Sequence, residues 1–467
     1  ANNGDAVRLL ADIVHNSGIS IVSKTITLDL NGHNLKVTET SGAGLSVTYG
    51  GIVLTGSGSF DVTGFEYGVQ ANAGGVATVT SASATSNSGG FGISAVGGGR
   101  VTVTGDVRSD YAGIIAYGEE TVVTVGGNVT VEANETWGIQ ASSSSMGGAK
   151  VDVGGNVEVT GGGGILVQGN GSDIHVGGWV EATDGGGAEA LSGGVAVVDG
   201  SVTASAEGAS ALGAGSTVTV YGNLSGKLGV IALSGGQVEV HGDVGAVMLG
   251  AQAGYDDSRA YIHGAVIVSD AAGISAEAYG SASGEAVVQI DGDITANIYI
   301  RVGGDVKDDS EASRTTPTLL PGYHTYSSGG NIVYVKVPED EGGPSLPFAP
   351  VYDSPPTVIT GTVTGINASG AATGVGSSGA TLSGNVTDDG GLTVTERGFV
   401  CGTAGNPTIG DPGVIQVTAG GGTGVFSAEI TGLVPDTAYF VRAYAVNSAG
   451  AAYGANVSFT TALIPPD

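Results

Sequence analysis

Apolar and variable residues alternate in a seven-residue pattern that recurs through the first two thirds of the chain. The pattern reads apolar, variable, apolar, variable, Gly, often Asn or Asp, and apolar, as in "VEVHGDV" from Val238. Copies begin at Leu28, Ile52, Ala77, Val101, Val123, Val151, Ile174, Ala196, Val218, Val238, Ala260, Val288 and Ile300. Alternation with a period of two is typical of a β-strand with one buried face. We therefore expect positions one and three to face a core, and positions two and four to face outward.

The spacing of the copies predicts a solenoid. Successive copies from Leu28 to Val288 begin 20 to 28 residues apart, and only the last step, to Ile300, is shorter. A second motif, "GVQA" at Gly68, recurs in similar form between the copies, so each unit contains at least two strands. A fixed period of this size without helical repeat patterns predicts a parallel β-helix of about twelve coils, with Ile300 at its tapering end.

Two polar positions of the pattern have structural explanations. Gly at position five permits a positive φ where the chain turns a corner. Asn or Asp at position six can cap backbone groups at that corner, which we favour over calcium ligation because calcium needs several clustered carboxylates. These residues are Asp106, Asn128, Asn156, Asn223, Asp243, Asp293 and Asp305.

The two ends of the solenoid carry different signals. Near the start, "GDAVRLLADIV" places Val7, Leu10 and Ile13 on one stripe, which predicts a short N-terminal capping helix. Residues 322–337, "GYHTYSSGGNIVYVKV", predict a closing hairpin. The predicted solenoid therefore covers residues 1–337.

Residues 1–337 resemble the right-handed parallel β-helix proteins of the pectate-lyase-like superfamily. The stretch "KTITLDLNGHNLKV", residues 24–37, is similar to the first coils of many bacterial surface members. Enzymes of that superfamily use carboxylates with a nearby Arg or Lys base, or paired Asp residues in a groove. The few basic residues here are scattered, and no Arg-X-Lys pair lies on a repeated strand. We therefore expect no catalytic residues and no enzymatic activity.

A second domain is expected after residue 356. Residues 338–356 are rich in Pro and acidic residues and predict a linker. Residues 357–467 contain about seven short alternating segments, which predict a β-sandwich. The stretch around Leu433, Pro435, Thr437 and Tyr439 resembles the tyrosine corner of fibronectin type III domains, which implies a spacer or recognition module. Cys401, on a predicted strand, is expected to be a buried free thiol.

The outward positions contain the candidate binding site. Position four changes from small residues to a polar and aromatic column in the later coils, and Glu239 and Tyr261 lie beside it at position two. The resulting patch consists of Tyr221, Glu239, His241, Tyr261, His263 and Asp291. Three interpretations remain open: an ordinary solvated face, which we favour, glycan contact by the tyrosines and carboxylates, or a metal held by the two His and Asp291. The working expectation is no metal and no cofactor.

Charge and composition restrict the function. The 467 residues carry 44 Asp+Glu against 14 Lys+Arg, a net charge of −30, which argues against nucleic acid as a partner. No stretch is apolar enough for membrane insertion. We expect a secreted, extracellular surface protein with an adhesive or architectural role, joining head to tail with itself or contacting cell-surface components. The alternative is a protein that binds a polysaccharide, or a polysaccharide lyase or hydrolase.

Overall fold

The computed structural model describes residues 2–132, 136–143, 147–255, 257–270, 273–280, 285–296, 298–308, 310, 313–315, 319–320, 322–328, 331–337, 357–364, 377–388, 394–447 and 450–463. The chain divides into two compact units, residues 1–345 and 346–467. Over the described ranges the regular structure is β, with no α-helix. The predicted linker, 338–356, lies outside the described residues.

The first unit is a parallel β-solenoid of about twelve coils, and each coil contributes strands to three faces. The first face contains β1 (Ala6–Arg8), β4 (Thr25–Asp29), β7 (Gly51–Thr55), β10 (Val76–Val79), β13 (Arg100–Val103), β16 (Val122–Val125), β19 (Lys150–Val153), β22 (Asp173–Val176), β25 (Val195–Val198), β28 (Thr217–Val220), β30 (Gln237–Val240), β32 (Arg259–Ile262), β35 (Val287–Ile290), β40 (Asn331–Lys336) and β39 (Tyr323–Ser328).

The second and third faces join into one sheet because β29 (Leu224–Leu233) and β31 (Val244–Gly254) run through both of them. The second face also contains β2 (Ile13–His15), β5 (His33–Thr38), β8 (Gly58–Gly64), β11 (Ser81–Ala84), β14 (Val107–Ser109), β17 (Val129–Val131), β20 (Val157–Val159), β23 (Val180–Ala182), β26 (Val202–Ala204), β33 (Val266–Val268) and β36 (Ile294–Thr295).

The third face carries the second sequence motif. Its strands are β3 (Ile19–Val22), β6 (Ala43–Thr48), β9 (Tyr67–Asn72), β12 (Phe91–Val96), β15 (Ala112–Tyr117), β18 (Trp137–Ser142), β21 (Gly163–Gln168), β24 (Ala188–Leu191), β27 (Glu207–Leu212), β34 (Ile274–Tyr279), β37 (Ile298–Val302) and the antiparallel β38 (Asp305–Lys307). Each unit therefore has three strands, one more than the minimum that the sequence required.

Positions one and three of the pattern form the core, as predicted. Residues at the same position pair in register from coil to coil, for example Val218 with Val238 and Val238 with Ala260. Val238 and Val240 are fully buried. Because burying one valine side chain contributes about 1.5–3 kcal/mol, the stability comes from the whole column and not from any single residue.

Glycine at position five is required mainly because successive coils pack closely there, and not because the backbone adopts the predicted positive φ. Gly56 has a φ of +76°, but Gly155 and its equivalents Gly127 and Gly242 do not adopt a positive φ. A Cβ on Gly155 would lie 2.5 Å from Asn128 Oδ1 and 2.6 Å from the carbonyl oxygen of Gly127. The close stacking of coils at this corner therefore excludes a side chain.

Five of the seven Asn and Asp residues at position six, Asp106, Asn128, Asn156, Asn223 and Asp243, form the expected structural ladder. The backbone N–H of Asn128 donates to Asp106 Oδ1 (2.8 Å), and that of Asn156 donates to Asn128 Oδ1 (2.9 Å). The same contact joins Asp243 to Asn223 Oδ1, at 2.9 Å. Each of these five side chains thus accepts a hydrogen bond from a backbone N–H of the coil that follows it, which supports the structural interpretation over calcium ligation.

Two copies of the pattern are placed differently from the prediction. Ile52 pairs with Ile26 and not with Leu28, so the first copy is shifted by two residues. Ile300 lies on the third face, where it pairs with Ala276, and Arg301 and Asp305 are therefore not part of the first-face columns. All three faces of the solenoid show the same alternation of apolar residues. The sequence alone therefore did not show to which face or register these two copies belong.

The predicted N-terminal helix is wrong. Residues 6–8 and 13–15 form β1 and β2, whose Val7 and Ile13 pair with Leu28 and Leu35. Parallel pairing with the second coil satisfies backbone groups and aligns apolar residues, which a helix at this end would not do.

The predicted closing hairpin is confirmed. β39 and β40 are antiparallel, and Val333 of β40 pairs in parallel with Val288 of β35. β40 thus adds the last parallel strand of the first face, and β39 follows it at the edge.

The second unit consists of two antiparallel sheets around one core. One sheet has the order β41 (Thr357–Thr364), β42 (Gly379–Asp388), β45 (Gly424–Thr431). The other contains β44 (Ile415–Thr418), β43 (Glu396–Gly402), β46 (Ala438–Asn447), β47 (Gly450–Tyr453) and β48 (Val457–Thr460). Phe399 and Phe426 meet between the sheets with ring centroids 5.0 Å apart. This arrangement is a β-sandwich.

Two local predictions for the sandwich are also supported. The hydroxyl of Tyr439 accepts a hydrogen bond from the backbone N–H of Val434, as in a tyrosine corner. Cys401 is a buried free thiol, and burial raises its pKa to about 12. In the part of the chain that the structure describes, no helix is long and apolar enough to cross a membrane.

The position-six ladder makes a measurable contribution to stability. We expect Asn128→Ala to lower the free energy of unfolding by about 0.5–1.5 kcal/mol, because the N–H of Asn156 loses its acceptor. Hydrogen exchange at the Asn156 amide should become faster. Asn128→Asp is the matched control, since it keeps the acceptor oxygen. Equal exchange in the alanine and aspartate variants would contradict the ladder.

Candidate functional site

The six predicted site residues lie together on the outer surface of the first face. Tyr221, His241, His263 and Asp291 directly follow β28, β30, β32 and β35, and Glu239 and Tyr261 lie within β30 and β32. The N–H of His241 donates to the carbonyl of Val220, and that of His263 to the carbonyl of Val240, each at 2.9 Å. The inter-coil backbone ladder therefore fixes the column in register.

Three aromatic rings of the column stack along the solenoid. The ring centroids of Tyr221 and His241 are 4.6 Å apart, and those of His241 and His263 are 4.8 Å apart. Their interplanar angles are 24° and 27°. The distances match the spacing of neighbouring strands, so the rings follow the backbone repeat.

Glu239 lies against both histidines. Its Oε1 is 3.0 Å from His263 Nε2 and 3.5 Å from His241 Nε2. The three residues each offer one ligand atom, and these three atoms all lie within 4.8 Å of one another. The sequence predicted two His and Asp291 as the metal set, whereas the structure places Glu239 at the point where the two histidines converge.

Asp291 contacts the opposite side of the His263 ring. Its Oδ2 is 3.1 Å from His263 Nδ1, and its Oδ1 accepts hydrogen bonds from the Tyr323 hydroxyl (2.7 Å) and from Gln289 Nε2 (3.0 Å). Sequence reasoning missed Tyr323, which comes from the closing hairpin 32 residues later. The sequence did predict the hairpin that contains Tyr323. It did not show how the hairpin is aligned with the column, and so did not place Tyr323 beside Asp291.

The carboxylates favour the protonated form of His263. Contacts with Asp291 and then Glu239 raise its pKa to about 9, although partial burial opposes this. Burial alone would raise the pKa of Asp291, but hydrogen bonds from His263, Tyr323 and Gln289 outweigh it and lower that pKa. Burial would also raise the pKa of Glu239. The hydrogen bond with His263 and the charges of His241 and His263 outweigh burial and lower that pKa.

The aromatic geometry does not favour sugar stacking. A sugar packs on an open ring face, whereas the rings of Tyr221, His241 and His263 present faces to one another. Tyr261 is only 7% exposed. Glycan binding at this patch therefore stays a prediction, and the convergent arrangement of polar atoms is the more distinctive feature.

A second histidine cluster lies on the same face. His175 Nδ1 is 3.0 Å from Asp152 Oδ1, and its Nε2 is 3.1 Å from Asp199 Oδ2. Burial opposes protonation, but the hydrogen bonds to Asp152 and Asp199 outweigh it and raise the pKa of His175 to about 10. All three residues occupy outward positions of the pattern, but the sequence did not show that the two carboxylates contact opposite sides of one ring.

Comparison with known proteins provides no family assignment. No protein-family model and no curated protein matches the chain. The sensor domain of an anti-sigma factor from Pseudobacteroides cellulosolvens is 17% identical, with a TM-score of 0.18, over 24% of this chain and 98% of that domain. The third fibronectin III domain of a human protein is 15% identical, with a TM-score of 0.18, over 27% of this chain and 97% of that one. A segment of titin, domains A168–A170, is 13% identical, with a TM-score of 0.16, over 34% of this chain and 52% of that one. Similarity this low carries no argument about function.

The contacts of His263 predict its titration. We expect the imidazole of His263 to titrate near pH 9 and, in Asp291→Asn, to shift toward its ordinary value of 6.5, because a neutral amide stabilises the cation less. Since the folded-state pKa is raised, the stabilisation is fully present below about pH 6.5 and is lost as the pH rises through about 9. NMR titration of the imidazole resonances measures this.

A matched control is available at the second cluster. Asp199→Asn removes a carboxylate from His175 and should lower the pKa of His175 without moving that of His263. Titration of wild-type His263 near its ordinary value would contradict the arrangement of carboxylates described above.

Proposed function

We propose that the protein is a non-catalytic extracellular structural subunit that associates head to tail through the strand edges of its solenoid. The proposal includes a relation of the first unit to pectate-lyase-like surface proteins, and of the second to fibronectin type III spacers. Its main support is the edge of the first coil. Among the described strands, β1, β2 and β3 each have a partner on one side only: β4, β5 and β6.

Within the described residues, the core side of that edge is apolar and accessible. Val7 and Ile13 are 38% and 42% exposed, whereas their partners in the next coil, Leu28 and Leu35, are 4% and 7% exposed. An added strand would cover these side chains and satisfy the outer backbone groups of β1 and β2. Unpaired edges with an apolar side are sites of strand addition in proteins generally.

A filament needs a complementary surface on the next copy. The opposite end of the solenoid ends in the antiparallel strands β38 and β39, and the chain continues into a separate sandwich. We propose that one of these surfaces receives the first coil of a second copy. Because all subunits are identical, such a contact between unlike surfaces repeats along one direction.

Electron microscopy of the protein at high concentration tests this proposal. We expect linear particles for the wild type and a shift to single subunits for Val14→Lys, which places a charge on the exposed edge strand β2. Val53→Lys is the matched control, because Val53 is also an exposed valine but lies on the inner strand β7.

Two outcomes would contradict the proposal. Single wild-type subunits at every concentration would exclude self-association. Equal assembly of the two lysine variants would mean that the subunits join through some surface other than the first coil.

A further inference from the structure

We propose that Glu239, His241 and His263 form a binding site for one divalent transition-metal ion, with zinc as the best match. The site lies on the outer surface of the first face and is independent of the proposed assembly. Two imidazole nitrogens and one carboxylate oxygen are a donor set that suits zinc, copper or nickel, and not calcium or magnesium.

Two of the three separations between the donor atoms are close to those around a tetrahedral ion. Zinc bonds of about 2.0–2.1 Å place neighbouring ligand atoms about 3.3–3.4 Å apart in a tetrahedron. Glu239 Oε1 lies 3.0 Å from His263 Nε2 and 3.5 Å from His241 Nε2, values on either side of that separation. The three ligand atoms all lie within 4.8 Å of one another. The imidazoles of His241 and His263 are stacked, so binding requires the rings to rotate out of the stack until both Nε2 atoms point at one ion.

The contacts behind His263 orient it as a metal ligand. Asp291 binds Nδ1 of His263 and is itself held by Tyr323 and Gln289. Such a contact between Nδ1–H and a carboxylate typically accompanies ligating histidines. This arrangement is independent of the convergence on Glu239 and points to the same ligand. Without a metal, Nε2 of protonated His263 donates to Glu239, so binding of the ion replaces and releases that proton.

The position of the cluster allows an ion to enter. The side chains of His241, Glu239 and His263 are 23%, 29% and 33% exposed, so they are held by their neighbours but reach solvent. The ladder between β28, β30 and β32 keeps the two histidines one coil apart. Three protein ligands leave a fourth position open to water or to another ligand.

The His175 cluster shows what the proposed site requires. His175 is also flanked by two carboxylates, but Asp152 and Asp199 contact opposite ring nitrogens. Their oxygens therefore do not converge with a ring nitrogen on one point. The same face thus supplies a control of similar charge without the geometry for binding a metal.

Zinc binding by the full chain tests the proposal. After treatment with a chelator and dialysis, we expect the wild type to bind one Zn²⁺ in isothermal titration calorimetry, and Co²⁺ to give the visible absorption of tetrahedral coordination. His241→Gln and His263→Gln should each weaken Zn²⁺ binding at least tenfold. Asp291→Asn, which removes an outer contact, should weaken it about 10–100-fold.

His175→Gln is the matched control and should bind Zn²⁺ as the wild type does. Circular dichroism checks the fold of each variant, and His241→Gln and His263→Gln test the site separately in case one of them fails to fold. Absence of Zn²⁺ binding to the folded wild type would overturn the proposal. So would wild-type affinity in a folded His241→Gln/His263→Gln double variant.

Discussion

The in-register hydrogen-bond ladder between successive coils is the constraint on which the rest of this structure depends. It pairs Val218, Val238 and Ala260 along the core and, through the same strands, Thr219, Glu239 and Tyr261 along the outer face. A shift of one residue would exchange these two sets and expose the core. The apolar column therefore fixes the geometry of the outer polar column as well.

This coupling explains how outward-facing side chains from successive coils come to lie in a fixed arrangement. Tyr221, His241 and His263 are separated by a full coil in sequence, yet their rings stack at the strand spacing. Glu239 lies close enough to contact both histidines because positions two and four share one face. The backbone ladder fixes the Cα positions of these residues, so only the side-chain rotamers determine whether the polar atoms meet.

The same repetition decides how much the sequence could predict. The copies from Val101 to Val288 were assigned to one face because each repeats the same alternation. In "ITLDL" three apolar residues alternate, Ile26, Leu28 and Leu30, and the pattern alone does not show which of them begins the copy. The structure pairs Ile26, and not Leu28, with Ile52. Val7 and Ile13 fit a helix by spacing, but pairing with Leu28 and Leu35 determines their structure. Contacts such as Tyr323 with Asp291 depend on a hairpin register and on rotamers, which the pattern does not encode.

An anomalous-diffraction map of a zinc-soaked crystal tests most directly whether the ladder builds a convergent site. The account predicts a zinc peak about 2.0–2.1 Å from one atom each of Glu239, His241 and His263, with Asp291 still on His263 Nδ1. A map with no peak at these residues, or with zinc at His175 instead, would contradict it.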